Sequence, residues 1–542
     1  MRILRRMSFL VLASGMALAQ TSSGGQAQNS SVSDELKALR ESIAAQQAQI
    51  AQQQKQIETL EKALAEKPTV APHVENASLS TTAAPAEPAT QADVQKPKES
   101  PLSFRIGGTD FTPGGFVDFN NIFRSVNTGS VVSTGFGGIP FSNTPAGKLT
   151  EFRSTGQYSR FNLKITGKYG ANDVTGYIEA DFNGNDPANV FATTNPHTLR
   201  LRQYFVSVKR GKWEFTAGQF YGMMTPNRVG VGGALSVPNT GDGNIHVGVV
   251  YSRDGQFRVA FHPNDKFSWA IATDNPQQST NGEAVLPNSF NSQLGNFVNG
   301  SGTPGVPNAF PDVITKMAYD TKIGARAFHV EAGGMITSVK LAAQATPVVA
   351  GTPFNKHTKI GAGFLGGIDF ELTKKVRLMA NGDYGTGMGR YFISLGPQFV
   401  VAPVALTPTT FDFAISMVHS GAGWGGLEAQ VTPKTMLAAY YGGVYYARNA
   451  FPDITVGTQP TIGFGGTGSS TSNNRSVQEG SFVLTQTLWK NPQYGALLFI
   501  NDASYTTRAP WFIRKDGTTG ALLEPKNAHM FMDHLVLRYI IP

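Results

Sequence analysis

A chain of 542 residues with 60 glycines, no cysteine, 40% hydrophobic residues and a formal charge of +8 has room for one large domain with extensions, and its fold uses no disulfides. No stretch after the first residues offers eighteen uninterrupted apolar side chains, so no helix spans a membrane. The basic excess is spread thinly with no cluster, which argues against a nucleic-acid partner. The 9 histidines show no HExxH and no pair at ligand spacing, and GxSxG is absent, so the sequence nominates no metal, no cofactor and no catalytic residue.

In chain order, Arg2, Arg5 and Arg6 precede the apolar run Phe9 to Leu12, and Ala17-Leu18-Ala19 offers a peptidase its small residues. Residues 1–19 read as a secretory signal. From 31 to 67 the apolar period is 3.5. Leu36, Ile43, Ile50, Ile57 and Leu64 fall seven apart, with Val32, Leu39, Gln46, Gln53 and Leu60 on the companion positions. This is a coiled-coil seam, a rod of roughly 50 Å at ~1.5 Å per residue, and it implies self-association without fixing its order. Pro68 ends it. The Ala, Pro and Thr-rich stretch 68–103 reads as an extended linker. The signal carries 3 arginines and residues 20–100 carry 7 basic and 10 acidic side chains, which leaves 35 basic and 27 acidic for 101–542. The positive excess therefore lies in the last and largest part.

That part, 104–542, is strand-rich. Between Tyr158 and Gln219, Phe161, Leu163 and Ile165 alternate with Asn162, Lys164 and Thr166, and the pattern resumes after each short polar turn. A period of two places one apolar and one polar face on each strand. Such strands fit a soluble sandwich or a closed barrel with lipid outside and water inside. The connections decide between them. Tight turns are expected near 170–173, 210–212, 263–266, 321–325, 373–375, 432–434 and 490–493. Gly, Asn, Thr and Pro-rich loops are expected near 125–157, 183–198, 221–255, 274–312, 340–358, 387–408, 448–478 and 504–527. Seven turns alternating with eight loops give sixteen strands and put every long loop on one rim, as in membrane barrels. Trp213, Trp269, Trp424, Tyr440, Tyr441, Tyr445, Tyr446, Trp489 and Tyr494 are placed to form interfacial girdles. The fold class predicted is all-β: a 16-stranded antiparallel transmembrane β-barrel of porin type preceded by a short periplasmic α-helical coiled coil. The last strand alternates Leu535, Leu537, Tyr539 and Ile541 against His534 and Arg538, but the chain ends Ile541-Pro542 where such barrels typically end on an aromatic residue.

The order of parts, with Leu199-Arg-Leu-Arg-Gln-Tyr-Phe-Val and Ala217-Gly-Gln219, resembles the DcaP-type trimeric porins. The resemblance implies a homotrimer in the outer membrane, a water-filled pore in each subunit, preference for small anionic, dicarboxylate-like solutes, and a third loop folded inward. By that likeness alone, Arg228, Asp242 and Arg253 of the third loop become constriction candidates.

Parity by itself points Lys164, Arg200, Arg202, Arg258, Arg377 and Arg538 into the lumen, where basic side chains lower the barrier for anions. Equally, they could be structural partners of Glu179, Asp181, Asp118 or Glu214. Two GxGxxG matches, Gly361/Gly363/Gly366 and Gly421/Gly423/Gly426, each run into strand-like sequence rather than a helix, so they read as barrel-wall glycines and not as a nucleotide cradle. The function expected is passive diffusion of small anions, with no enzymatic activity. The alternatives are a structural or adhesive envelope barrel anchored through its coiled coil, and a sugar-selective pore lined with stacked aromatics.

Overall fold

The computed structural model describes residues 100–130, 132–184, 198–275, 284–298, 308–393, 396–467 and 473–542. The signal, the heptad seam from Val32 to Leu64 and most of the linker lie outside the described residues.

Sixteen antiparallel barrel strands close on themselves, because the first, Thr109–Arg124, pairs with the last, Ala528–Ile540, from Phe116 opposite Ile540 to Arg124 opposite Met532. The main sheet holds eighteen strand segments. A short strand Phe104–Ile106 folds back on the first, and the second barrel strand is split into Glu151–Thr155 and Arg160–Tyr169, both paired with Thr109–Arg124. Across the split, Ser159 Oγ accepts the Asp118 N–H at 2.9 Å, so the ladder interruption leaves that donor satisfied.

The alternation of short and long connections is as the composition predicts. Gly170, Gly211 and Gly324 sit at φ 59°, 58° and 62° in two-residue turns, a conformation glycine enters without penalty. Gly324 thereby makes the turn between Asp312–Ile323 and Arg326–Gln344, where the sequence signal is weakest. The sixth long loop differs from expectation. It runs on to Val418, because Phe411–Met417 pairs with Phe399–Ala405 inside the loop rather than with the barrel. Period two marks a strand but does not name its partner. Both GxGxxG segments lie within barrel strands, Phe354–Glu371 and His419–Thr432.

Side chains divide as the alternation requires. In the first strand Val117, Phe119 and Phe123 are exposed on the outer face, while Asp118, Asn120 and Arg124 are buried on the inner one. Trp213, Tyr441, Tyr445, Trp489 and Tyr494 are exposed, as girdle residues should be. Trp424, Tyr440 and Tyr446 are not girdle residues: at 4%, 3% and 1% exposure they belong to the inner face. Trp424 stands opposite Asn381, whose amide faces inward, so strand parity rather than ring chemistry decided its side.

The apolar core does not lie between two sheets. It forms where the long loops meet: Phe136, Ile139 and Phe141 of the first, Met223, Met224 and Val250 of the third, Phe290 and Leu294 of the fourth, and Phe392, Phe399 and Phe413 of the sixth pack in one cluster. Short bridges knit it, Val250 with Phe392, Val285 with Gly463 and Thr346 with Phe411.

Candidate functional site

Strands two to five carry the site. A β-bulge shapes it: Glu179 pairs with Gln203 and Ala180 with Leu201, so Arg202 is the extra residue. Arg202 and Gln203 therefore both face inward, and the outward parity passes from Leu201 to Tyr204 and Val206. The neighbouring strand holds the bulge open. A Cβ at Gly218 (φ 136°) would collide with the Tyr204 carbonyl oxygen, and Gln219 Nε2 donates to Arg202 O at 2.8 Å. The motif behind the family resemblance thus has a local physical meaning: it encodes a doubled inward position.

Around the bulge a charged network forms. Arg200 donates Nε to Asp181 Oδ1 at 2.9 Å and Nη2 to Oδ2 at 2.7 Å. Arg202 joins both acids, Nε to Glu179 Oε1 at 2.8 Å and Nη1 to Asp181 Oδ2 at 2.7 Å. Arg160 lies 3.7 Å from Glu179, and Tyr177 donates its hydroxyl to Glu179 at 3.0 Å. Arg202 also reaches Tyr251 Oη at 3.3 Å, whose ring lies 5.5 Å from the Arg253 guanidinium. Lys164 stands opposite Thr112 and Tyr177 and has no ion-pair partner among the described residues. Three arginines, Arg160, Arg200 and Arg202, thus hold two carboxylates, Glu179 and Asp181, on one stretch of wall, with Lys164 on the same inward parity and Arg253 beside the Tyr251 ring. Arg200 keeps 36% of its side chain exposed, so the strip is reachable from the lumen.

Opposite this strip the third loop, 222–252, folds into the barrel. Lys316, fully buried, pairs with Glu331 at 3.0 Å and donates to Thr225 O at 3.0 Å. Arg228 meets Glu428 at 3.3 Å. Asp502 accepts the Gly241 N–H and Glu479 the Val247 N–H, each at 2.8 Å, while Asn120 Nδ2 donates to Gly241 O at 2.8 Å. Buried carboxylates on the wall thus satisfy backbone donors of a loop that has no ladder of its own. Asp242 accepts from the Thr134 hydroxyl and from the Asn244 N–H at 2.7 Å. Burial alone would raise its carboxyl, but hydrogen bonding and charge from His534, with Arg124 and Thr134, hold it below the usual range.

The residues singled out by sequence are not brought together as one set. Lys164, Arg200, Arg202, Glu179, Asp181 and Arg253 share the strip. Arg258 is buried beside it, donating to Tyr221 O at 2.7 Å with its guanidinium 4.6 Å from the Phe220 ring. Arg377 lies within 3.5 Å of Asp369 and 3.4 Å of Glu371, apart from the strip, whereas Arg538 meets Asp118 at 2.6 Å and borders the strip, its guanidinium 4.5 Å from the Phe116 ring that Arg160 approaches at 5.2 Å. Arg228 and Asp242 are loop anchors. Arg160 is missing from the sequence-based set although it shares the parity of Lys164; Tyr251 and Lys316 gave no signal, since their role depends on where the third loop folds.

No family model matches the chain, and no curated protein matches its sequence. Solved structures do. The outer membrane channel DcaP of Acinetobacter baumannii superposes with a TM-score of 0.53 at 15% identity, over 81% of this chain and 100% of that one. The anion-selective porin from Comamonas acidovorans matches at TM-score 0.44 and 10% identity, over 80% and 100%. Salmonella typhi OmpF, in complex with daunomycin, matches at 0.41 and 11%, over 81% and 100%. At 15% identity the first likeness speaks for the fold alone: this chain is an all-β, closed sixteen-stranded antiparallel barrel, similar in fold to the DcaP channel.

Proposed function

We propose that the protein is a passive outer-membrane channel for small hydrophilic anions of dicarboxylate-like size, acting as a homotrimer with its N-terminal coiled coil in the periplasm. One observation carries the anion preference: Arg160, Arg200 and Arg202 gather around two carboxylates, Glu179 and Asp181, on a wall that also carries the inward-facing Lys164, with the third loop folded into the barrel. Low-dielectric walls focus the field of such a strip, and an anion passing it exchanges water for guanidinium donors without being held by a closed cage. Paired arginines keep two donor edges fixed, while half-buried Lys164 adds a charge that no carboxylate pairs among the described residues. The chemistry needed is attraction and release, with no bond made or broken.

A sugar-selective pore is the second reading, favoured by the rings of Tyr177, Phe205 and Phe220, whose successive centroids lie 5.4 and 5.2 Å apart on the same wall. Planar-bilayer current under a salt gradient separates the two. A reversal potential of anion sign, in three equal steps, supports the anion channel and the trimer. Cation sign or block by neutral sugars would favour the second reading, and no current would remove both.

A further inference from the structure

The basic excess of the barrel segment, 35 basic against 27 acidic side chains over 101–542, is dispersed along the chain, but the fold sorts it by rim. Counted with two strand residues on either side, the seven tight turns carry 12 Lys and Arg against 4 Asp and Glu. The eight long connections, counted the same way, carry 11 against 12. The positive excess therefore stands on the turn-side rim. Every turn contributes: Lys168, Lys212, Lys266, Lys322, Lys374, Lys434 and Lys490 come one from each turn in order, and all are exposed. Lys168 reaches Asp173 at 3.6 Å with both side chains in solvent, a pair that screening leaves weak. Large rings and aliphatic side chains stand beside these lysines: Tyr169, Trp213, Ile323, Leu372, Trp489 and Tyr494 are exposed.

We propose that the turn-side rim is a docking belt for phospholipids with a net negative headgroup, which it selects over zwitterionic ones from the leaflet around it. Shape chooses the occupant. The charged turns follow one another around the closed barrel, interrupted only where the first strand meets the last. A lipid leaflet meets a barrel from every side, whereas a protein or a glycan strand meets one sector. Successive turns stand about 12 Å apart along the rim, two strands at ~4.8 Å tilted by ~40°. That is close to the Debye length of ~10 Å at 0.1 M salt, so neighbouring lysines act together on one headgroup layer. Lysine stems lie along apolar surface with the ammonium at headgroup level, and the aromatic rings beside them fix the depth. A phosphodiester without an ammonium of its own gains most from such a belt. The inference rests on the proposed placement in the outer membrane; there short turns face the periplasm, so the lipid is that of the inner leaflet.

Trp213 and Trp489 lie on this rim, so quenching of tryptophan fluorescence by lipids brominated in their acyl chains reads the lipid beside it. The full chain is reconstituted in vesicles of phosphatidylethanolamine and phosphatidylglycerol, with one or the other brominated. Phosphatidylglycerol is expected to compete at least about threefold better at low salt. The preference should fall toward unity near 1 M salt, where the Debye length is ~3 Å. Lys168→Gln, Lys212→Gln, Lys322→Gln, Lys374→Gln and Lys434→Gln combined should abolish it, and arginine at the same five positions should keep it. Gln in place of Lys148, Lys515 and Lys526 of the long loops should leave it unchanged. Equal competition by both lipids overturns the belt, including the case in which the acid-rich segment 20–100 covers the rim. So does a preference that survives the five glutamines or disappears with the loop lysines. Heat-modifiable gel mobility shows that each variant is a folded barrel. Should the fivefold variant not fold, Lys374→Gln with Lys375→Gln alters one turn alone, and an unchanged preference there overturns the belt. Bilayer current tests the channel separately: current without lipid preference removes the belt alone, and lipid preference without current leaves it standing.

Discussion

Arg200 grips Asp181 with two parallel hydrogen bonds, Nε to Oδ1 at 2.9 Å and Nη2 to Oδ2 at 2.7 Å, yet remains the partly exposed member of the strip. Because Asp181 also receives Arg202, removing Arg200 does not strand a buried acid. Arg200→Gln should therefore leave folding intact and lower the anion-to-cation permeability ratio. Unit charges ~8 Å apart in water interact by about 0.5 kcal/mol, so roughly a twofold change is expected, read from the reversal potential. Lys164→Gln should act in the same sense and add to it.

Arg202 behaves differently. It is buried and joined to both Glu179 and Asp181. Arg202→Leu leaves Glu179 with only the more distant Arg160, at 3.7 Å, as a cation. Breaking a buried pair by removing one partner costs about 3–5 kcal/mol. The expected outcome is a lower unfolding midpoint on heat-modifiable gels together with reduced anion preference, in contrast to Arg200→Gln, where only selectivity moves.

The bulge can be tested through Gln219, whose amide donates to Arg202 O at 2.8 Å. Gln219→Leu removes that donor at a position the ladder cannot serve, a loss of about 1–3 kcal/mol. If the bulge relaxes, Arg202 shifts against its acids, and selectivity should fall with the charge inventory unchanged. Unaltered reversal potential and thermal midpoint would show that the bulge stands without its amide.

For the loop cluster, the Phe290 and Phe413 rings lie 5.7 Å apart, one from the fourth loop and one from the sixth. Phe413→Ala should cost about 3–5 kcal/mol of loop packing. Because the barrel ladder is untouched, the effect should appear as noisier or larger current and faster proteolysis of the loops in intact cells, with the barrel itself still heat-modifiable.

Lys316→Met tests the inward loop. The ammonium holds Thr225 O and Asn227 Oδ1 at 3.0 and 2.6 Å, and its loss leaves Glu331 buried without its closest cation. Destabilisation of about 3–5 kcal/mol, with fluctuating conductance as the third loop loosens, is the expected outcome. A steady wild-type current would show that the remaining anchors suffice.

Much of the barrel was legible because it rests on local rules. Period two in Phe161 to Thr166 fixes which side chains share a face, and Gly170, Gly211 and Gly324 supply the turns that return the chain to the same rim. Strand number and the inward parity of Lys164, Arg200 and Arg202 followed from those rules. The same rules misplaced Trp424, Tyr440 and Tyr446, where aromatic chemistry was read ahead of parity, and they could not show that Phe411–Met417 pairs within its loop.

What tertiary structure alone decided is the company each lumenal charge keeps. Sequence parity puts Arg202 and Arg538 inside alike. Only the closed barrel sets Arg538 against a single Asp118 and gathers Arg202 with Arg160 and Arg200 around two acids. The third loop likewise has no periodicity, and its path is fixed by carboxylates from strands hundreds of residues away, such as Glu479 and Asp502. Facing is a property of neighbouring residues, which a strand's geometry dictates; partnership across a lumen depends on closure, which no local pattern contains.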